Sequence, residues 1–118
     1  MSLGFVEVQS VTGAVDCLDI MCKSADVSFV SWERKLGGRL VTIIVEGQVS
    51  AVTAAVENAV RGGIIKPATY SVIANPHPEV LRLVALSASR LKNKSENGQK
   101  KPESTANAET DEGYISEV

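Results

Sequence analysis

Between residues 3 and 91, the spacing of apolar residues changes repeatedly between the period of a β-strand and the period of an α-helix. Strand-like runs lie at residues 3–8, 27–32, 40–45 and 69–74, and helix-like stretches lie at residues 11–25, 47–62 and 78–91. Their order predicts an α+β fold of the ferredoxin-like split βαββαβ type with an added C-terminal helix. Aromatic residues make up only 4% of the chain, so the core is expected to consist of Val, Ile, Leu and Ala.

Each of the first two predicted helices presents one apolar stripe. Ser10 or Thr12 can cap the first helix, whereas Gly47 opens the second and Gly62-Gly63 ends it as a C-terminal glycine cap. The stripes are Val11, Ala14, Val15, Leu18, Met21, Cys22 and Ala25 in the first helix, and Val49, Val52, Ala55, Val56, Ala59 and Val60 in the second. Both helices are therefore expected to pack closely on the sheet.

The face of the sheet opposite these two helices must also be covered. In the second strand, Val27, Phe29 and Ser31 are expected on one side, and Ser28, Val30 and Trp32 on the other. Both sides are apolar enough to need at least partial covering, by the added helix or by a partner subunit. This pattern points to an oligomer.

The composition changes abruptly after Leu91, which divides the chain into a folded domain (1–91) and a disordered polar tail (92–118). Residues 1–91 carry eight Lys/Arg and eight Asp/Glu, so the predicted domain is neutral and unlike a general nucleic-acid binder. Cys17 and Cys22 diverge by roughly 140° on one helix, which excludes a disulfide between them and indicates reduced thiols in or near the core. No apolar run approaches the roughly 20 residues of a membrane span, so we expect a soluble intracellular protein.

The sequence offers little catalytic chemistry. The single histidine, His77, lacks a second histidine or a cysteine nearby with which to hold a metal, and neither glycine pair has the spacing of a phosphate-binding loop. Ser and Thr are plentiful but have no identifiable base beside them. We therefore predict that the chain is not an enzyme and needs no metal or cofactor.

One turn stands out between the second and third strands. In residues 33–42, the pair Gly37-Gly38 is flanked by Arg34, Lys35 and Arg39. Glycines open backbone conformations that other residues avoid, and they permit close approach. The turn could be only a tight hairpin, or it could receive an anion or line a symmetric opening.

Five short blocks carry a family resemblance. They are Leu3-Gly4-Phe5-Val6-Glu7, Lys23-Ser24-Ala25-Asp26-Val27, Gly37-Gly38-Arg39-Leu40-Val41-Thr42, Val45-Glu46-Gly47, and Val72-Ile73-Ala74-Asn75-Pro76-His77. In this order and spacing, over residues 3–84, the chain resembles the single-domain, hexamer-forming shell proteins of bacterial microcompartments. The fold of that family is the βαββαβ arrangement already predicted from periodicity.

The resemblance implies a flat cyclic hexamer that tiles edge to edge into a microcompartment shell in the cytoplasm. Its central pore would pass small polar or anionic metabolites by diffusion, without chemistry. Its partners would be other shell proteins and, through the C-terminal tail, encapsulated enzymes. The matching blocks place Lys35, Leu36, Gly37, Gly38 and Arg39 at the pore, and Lys23, Asn75 and His77 at the hexamer edge.

The sequence departs from the family pattern at two places. Ala74-Asn75-Pro76-His77 stands where many members have Pro-Arg-Pro-His, so the arginine that docks into the neighbouring tile is missing and edge packing is expected to differ. The turn is one residue longer than usual, and Arg39 stands where glycine is common. The alternative function is a ferredoxin-like oligomeric regulatory module that binds a small anionic ligand, although no second polar cluster is evident to hold one.

Overall fold

The computed structural model describes the backbone of residues 1–100 and the side chains of residues 1–93. Within this range the elements are β1 (Ser2–Val8), α1 (Val11–Ser24), β2 (Val27–Lys35), β3 (Leu40–Gly47), α2 (Val49–Gly62), β4 (Thr69–Ala74) and α3 (Pro78–Lys100). The strands form one antiparallel sheet in the order β2-β3-β1-β4. This is the ferredoxin-like arrangement, and it confirms the predicted fold class.

Helices α1 and α2 pack on one face of the sheet, which we call the inner face. The core there is made of small aliphatic side chains from the sheet and both helices, as the composition predicts. Its fully buried members include Val6, Val8, Val41, Ile43 and Val45 from the strands, and Ala14, Cys17, Met21, Val52, Ala55 and Ala59 from the helices. Alanine and valine on the helices allow their backbones to lie close to the sheet.

The buried stripes of the two helices are narrower than predicted. The stripe of α1 is centred on Ala14, Cys17 and Met21, so Val15 lies on the flank and is 50% exposed. Cys22 is exposed for the same reason, which corrects the expectation that both cysteines lie in or near the core. Val49 is the first residue of α2 and is 48% exposed, because the helix begins outside the packed region.

The ends of the helices differ in part from the predicted ones. Ser10, and not Thr12, caps α1, since its Oγ accepts a hydrogen bond from the Gly13 N–H at 2.8 Å. Gly47 is the last residue of β3 and does not open α2. Gly62 ends α2 and Gly63 is its C-cap, as predicted, although Gly63 has φ −68° and not the left-handed conformation common at such caps. A Cβ at Gly63 would lie 3.0 Å from the Ala59 carbonyl oxygen and 3.2 Å from Cys17 Sγ, so close approach is the reason for glycine there.

A β-bulge in β2 changes which side chains share a face. The register against β3 shifts between Phe29 and Ser31, so Phe29 pairs with Val45 and Ser31 pairs with Ile44. Trp32 then contacts the inner core, while Ser31 is fully buried on the opposite face, which we call the outer face. The predicted regular alternation, with Ser31 beside Phe29, is therefore wrong after residue 29.

Helix α3 covers part of the outer face. Val84 is buried against Leu3 and Ile44, and the half-buried Phe5, Val30 and Val80 pack around them. The helix continues to Lys100, beyond its predicted end at Leu91. Once packing fixes its first turns, adding further turns costs little, and Lys, Glu and Gln are good helix formers. The remainder of the predicted tail, residues 101–118, lies outside the described residues.

A chain of polar contacts joins α3 to β2 at the bulge. The Ser31 hydroxyl donates to Ser87 Oγ at 2.7 Å, and Ser87 donates in turn to the Glu33 carboxylate. Arg90 donates to the same carboxylate at 3.2 Å from the exposed side. Ser31 is 0% and Ser87 6% exposed, so neither hydroxyl is open to solvent water. Each must therefore form its hydrogen bonds with neighbouring protein groups.

We expect Ser87→Ala to lower the free energy of unfolding by about 1–2 kcal/mol, because the buried Ser31 hydroxyl loses its acceptor at 2.7 Å and keeps only the Trp32 carbonyl oxygen at 3.5 Å. Ser89→Ala is the matched control on the same helix; Ser89 is exposed, and its replacement should change stability by less than about 0.5 kcal/mol. Urea unfolding at one fixed protein concentration measures both. Equal stabilities for the two variants would show that the contact does not hold α3 to the sheet.

Candidate functional site

The predicted pore residues lie together at the end of the β2-β3 hairpin. Lys35 is the last residue of β2 and pairs with Leu40, the first residue of β3. Between them, Leu36, Gly37 and Gly38 have φ angles of 56°, 66° and 90°. Three consecutive residues thus adopt the left-handed region, and they form a compact turn with Arg39 as its last residue.

The two glycines serve different purposes. A Cβ at Gly37 would meet nothing within 4 Å, so only the backbone angle favours glycine there. Gly38 is buried, and a Cβ would lie 3.0 Å from Val11 Cγ2 at the start of α1. The turn is thereby seated against the first turn of α1, and a side chain at position 38 would push it away.

Leu36 is the residue of the turn that fits its backbone least well. A left-handed conformation costs a non-glycine residue about 1–2 kcal/mol, and branched apolar residues adopt it rarely. The Leu36 side chain is nevertheless 64% exposed, so the cost is not recovered by burial within the subunit. The resemblance did indicate Leu36 as a pore residue, but no residue pattern indicates this backbone strain.

Arg39 folds back onto the turn. Its Nε donates to the Leu36 carbonyl oxygen at 3.1 Å, and its backbone N–H donates to the same oxygen at 3.3 Å. Arg34, which pairs with Val41 in the hairpin, lies with its guanidinium 5.7 Å from the centre of the Trp32 ring. Lys35 and Arg39 are both exposed, so the end of the hairpin is positively charged.

The predicted edge residues lie on two other segments. Lys23, in the last turn of α1, has a side chain that is 76% exposed, and its Nζ lies 3.0 Å from Asp19 Oδ2 one turn earlier. Asn75 follows β4 with φ 53° and is exposed. Within the described part of the chain, no hydrogen bond or ion pair joins Lys23 to Asn75 or His77.

His77 has a structural role that sequence reasoning missed. Its Nδ1 accepts a hydrogen bond from the Glu79 N–H at 3.0 Å, and its carbonyl oxygen accepts from the Val80 N–H at 2.9 Å. His77 therefore caps α3 through its Nδ1 and its carbonyl oxygen. The signal was present in the His-Pro-Glu order, since a proline in the first helical turn implies a cap immediately before it.

The remaining chemistry is sparse in the part of the chain that the structure describes. Burial raises the pKa of the Cys17 thiol, and the nearby Asp16 carboxylate raises it further, which disfavours the reactive thiolate form. Across the described residues, no three His, Cys, Asp or Glu side chains are grouped so as to hold a metal ion. No helix within the same range has the length and apolar character needed to cross a membrane.

Known proteins match this chain both by sequence and by structure. The model of the BMC domain family matches residues 2–76. The microcompartment shell protein PduA of Salmonella typhimurium is 39% identical over 85 residues, covering 70% of this chain and 89% of PduA. The carboxysome shell protein CsoS1C of Hydrogenovibrio crunogenus is 36% identical over 95 residues, covering 75% and 89% of the two chains.

A solved structure of a microcompartment protein from Desulfitobacterium hafniense superposes with a TM-score of 0.63 at 26% identity. The match covers 73% of this chain and 47% of that longer one. The prediction of a non-enzymatic chain agrees with these comparisons, since the sequence relatives are named as shell proteins. The matched fold and the matched sequence together show that this chain belongs to the BMC domain family of bacterial microcompartment shell proteins.

Proposed function

We propose that this shell protein assembles into cyclic homohexamers, and that the turn from Lys35 to Arg39 lines a central opening for passive diffusion of small metabolites. The observation that carries the proposal is the compact left-handed turn at the end of a long hairpin, seated through Gly38 against α1. A short, exposed turn whose two central residues lack side chains is suited to bordering an opening, because little of it would fill the opening. The structural shell role itself follows from the family.

The charge of the turn supports a preference for anions over cations. Lys35 and Arg39 are exposed, and a cyclic assembly repeats each of them in every subunit. Two such cations about 10 Å apart in water repel by roughly 0.4 kcal/mol, which counterions or an anionic solute can offset. The ring therefore costs the assembly little while it attracts anions to the opening.

Lys23, Asn75 and His77 are proposed to meet the neighbouring hexamer. All three are exposed, and the Lys23 side chain has only a surface ion pair within its own helix. Such pairs contribute little to folding, so the residue is available for a contact between tiles. Contacts with other shell proteins would use the same edge, whereas the proposed contact of the tail with encapsulated enzymes involves residues outside those that the structure describes.

The oligomeric state tests the proposal directly. Multi-angle light scattering of the purified chain should give a mass near six times 12.5 kDa. A stable monomer or dimer at micromolar concentration would contradict it. Electron microscopy of the same material should show sheets, tubes or other regular layers.

The alternative, a regulatory module that binds a small anion, has weaker support. A shallow cleft beside β4 on the outer face is lined by Phe5, Glu7, Thr42, Tyr70 and Ser71. The Glu7 carboxylate accepts a hydrogen bond from Thr42 Oγ1 at 3.2 Å inside it. A carboxylate at this position repels anions, so this cleft does not suit the ligand that the alternative requires.

A further inference from the structure

Leu36 combines two unfavourable features at one position. Its backbone lies in the left-handed region at φ 56°, and its apolar side chain remains 64% exposed to solvent. Asparagine or glycine would adopt the same backbone without strain and would expose no hydrocarbon. Strained residues that gain nothing within their own subunit are typical of functional sites. The side chain of Leu36 therefore has its use outside the subunit.

The Arg39 side chain is held against the backbone of the turn, whereas the Leu36 side chain is not. Arg39 Nε is held at 3.1 Å by the Leu36 carbonyl oxygen, which keeps the guanidinium over the backbone of the turn. Gly37 and Gly38 have no side chains, and Gly38 is packed against Val11. Of the four residues from Leu36 to Arg39, Leu36 is thus the one with a side chain that is not hydrogen-bonded to the turn.

We propose that the Leu36 side chains of the assembled subunits form an apolar collar at the narrowest part of the opening, with the Arg39 charges set behind it. The collar favours small, neutral organic molecules over strongly hydrated ions. This inference rests on the proposed pore function of the turn.

The physical reason is hydration. An ion that passes an apolar constriction must shed water without receiving hydrogen bonds in return, whereas a small neutral molecule with a short carbon chain loses much less. The guanidinium of Arg39 lies close enough to attract anions to the mouth, but it cannot replace their water within the collar. Leu36 therefore sets the ratio of neutral to charged solutes, and Arg39 sets the sign of the ions that approach.

The test uses closed shells that contain a carrier protein labelled with a quinolinium dye, which both chloride and acrylamide quench. Stopped-flow mixing gives the entry rate of each probe into shells of the natural protein, Leu36→Asn and Arg39→Gln. Asparagine has nearly the size of leucine, tolerates the left-handed backbone and is polar. Circular dichroism and light scattering confirm that all three proteins fold and assemble alike.

We expect Leu36→Asn to lower the ratio of acrylamide entry to chloride entry by roughly threefold or more, mainly because chloride enters faster. Arg39→Gln should slow chloride and leave acrylamide unchanged. If Arg39→Gln acts in this way and Leu36→Asn leaves the ratio unchanged, the turn lines the opening but Leu36 faces away, and the collar is wrong. If neither variant, nor a bulky Gly37→Gln, alters the entry of either probe, the proposed pore function of the turn fails as well.

Discussion

Lys23→Asp is expected to abolish extended layers while hexamers remain intact. The substitution changes the charge by two units at a position that a cyclic assembly repeats at every edge. Within the subunit, it removes only the exposed ion pair with Asp19 and places an acid near the C-terminus of α1, which together cost about 1 kcal/mol or less. The effect on lateral contact should therefore greatly exceed the effect on folding.

Electron microscopy of the assembled protein and light scattering of its soluble form give the two readouts for Lys23→Asp. Asp19→Asn is the matched control, because it breaks the same ion pair and leaves the Lys23 charge in place. Layers should persist in the control. Regular layers in Lys23→Asp itself would show that this lysine does not lie at the edge.

Gly4→Val should destabilise the subunit more than any surface change, by about 3 kcal/mol or more out of a total of about 5–15 kcal/mol. Gly4 lies in β1 directly beneath α2. A Cβ added there would be 2.8 Å from Val52 Cγ1 and 3.0 Å from Val56 Cγ2, distances that force the helix away from the sheet. Urea unfolding at a fixed subunit concentration measures the loss, since assembly contributes to the apparent stability.

Two further variants make the Gly4 prediction specific. Val52→Ala removes the nearest side-chain atoms, so Gly4→Val combined with Val52→Ala should be more stable than Gly4→Val alone. Gly62→Ala, at the end of α2, adds a methyl group 3.8 Å from Ile20 and should stabilise the helix by up to about 1 kcal/mol. If the double variant gains nothing, the clash with Val52 is not the cause of the instability.

The order of the strands and helices could be predicted because each apolar run has a clear period and a polar or glycine boundary. The β-bulge between Phe29 and Ser31 could not be predicted, because side chains alternate between the two faces of the sheet both before and after it and no glycine marks its position. The end of α3 was also missed. Periodicity locates only the packed part of a helix, whereas Lys92 to Lys100 continue α3 without an apolar stripe.

The candidate site was predicted unevenly. The sequence identified the glycine pair and the cations around it, since glycine and charge are visible as residue types. It did not show that Gly38 is buried against Val11, that Leu36 is strained, or that Arg39 turns back onto the Leu36 carbonyl oxygen. The contact of Gly38 with Val11 depends on where α1 begins relative to the hairpin, a tertiary relation that no local pattern encodes. The other two features arise within the turn itself, from backbone angles that the residue types do not specify.

The bulge in β2 also decides which side of the sheet each cation faces. Beyond the bulge, Glu33 pairs with Thr42 on the outer face, and Arg34 pairs with Val41 on the inner one. By the alternation of a strand, Lys35 then belongs to the outer face. With one residue fewer at the bulge, Arg34 and Lys35 would exchange faces. A one-residue irregularity near the start of β2 thus determines which of the two cations lies on the face of the sheet that α1 and α2 cover.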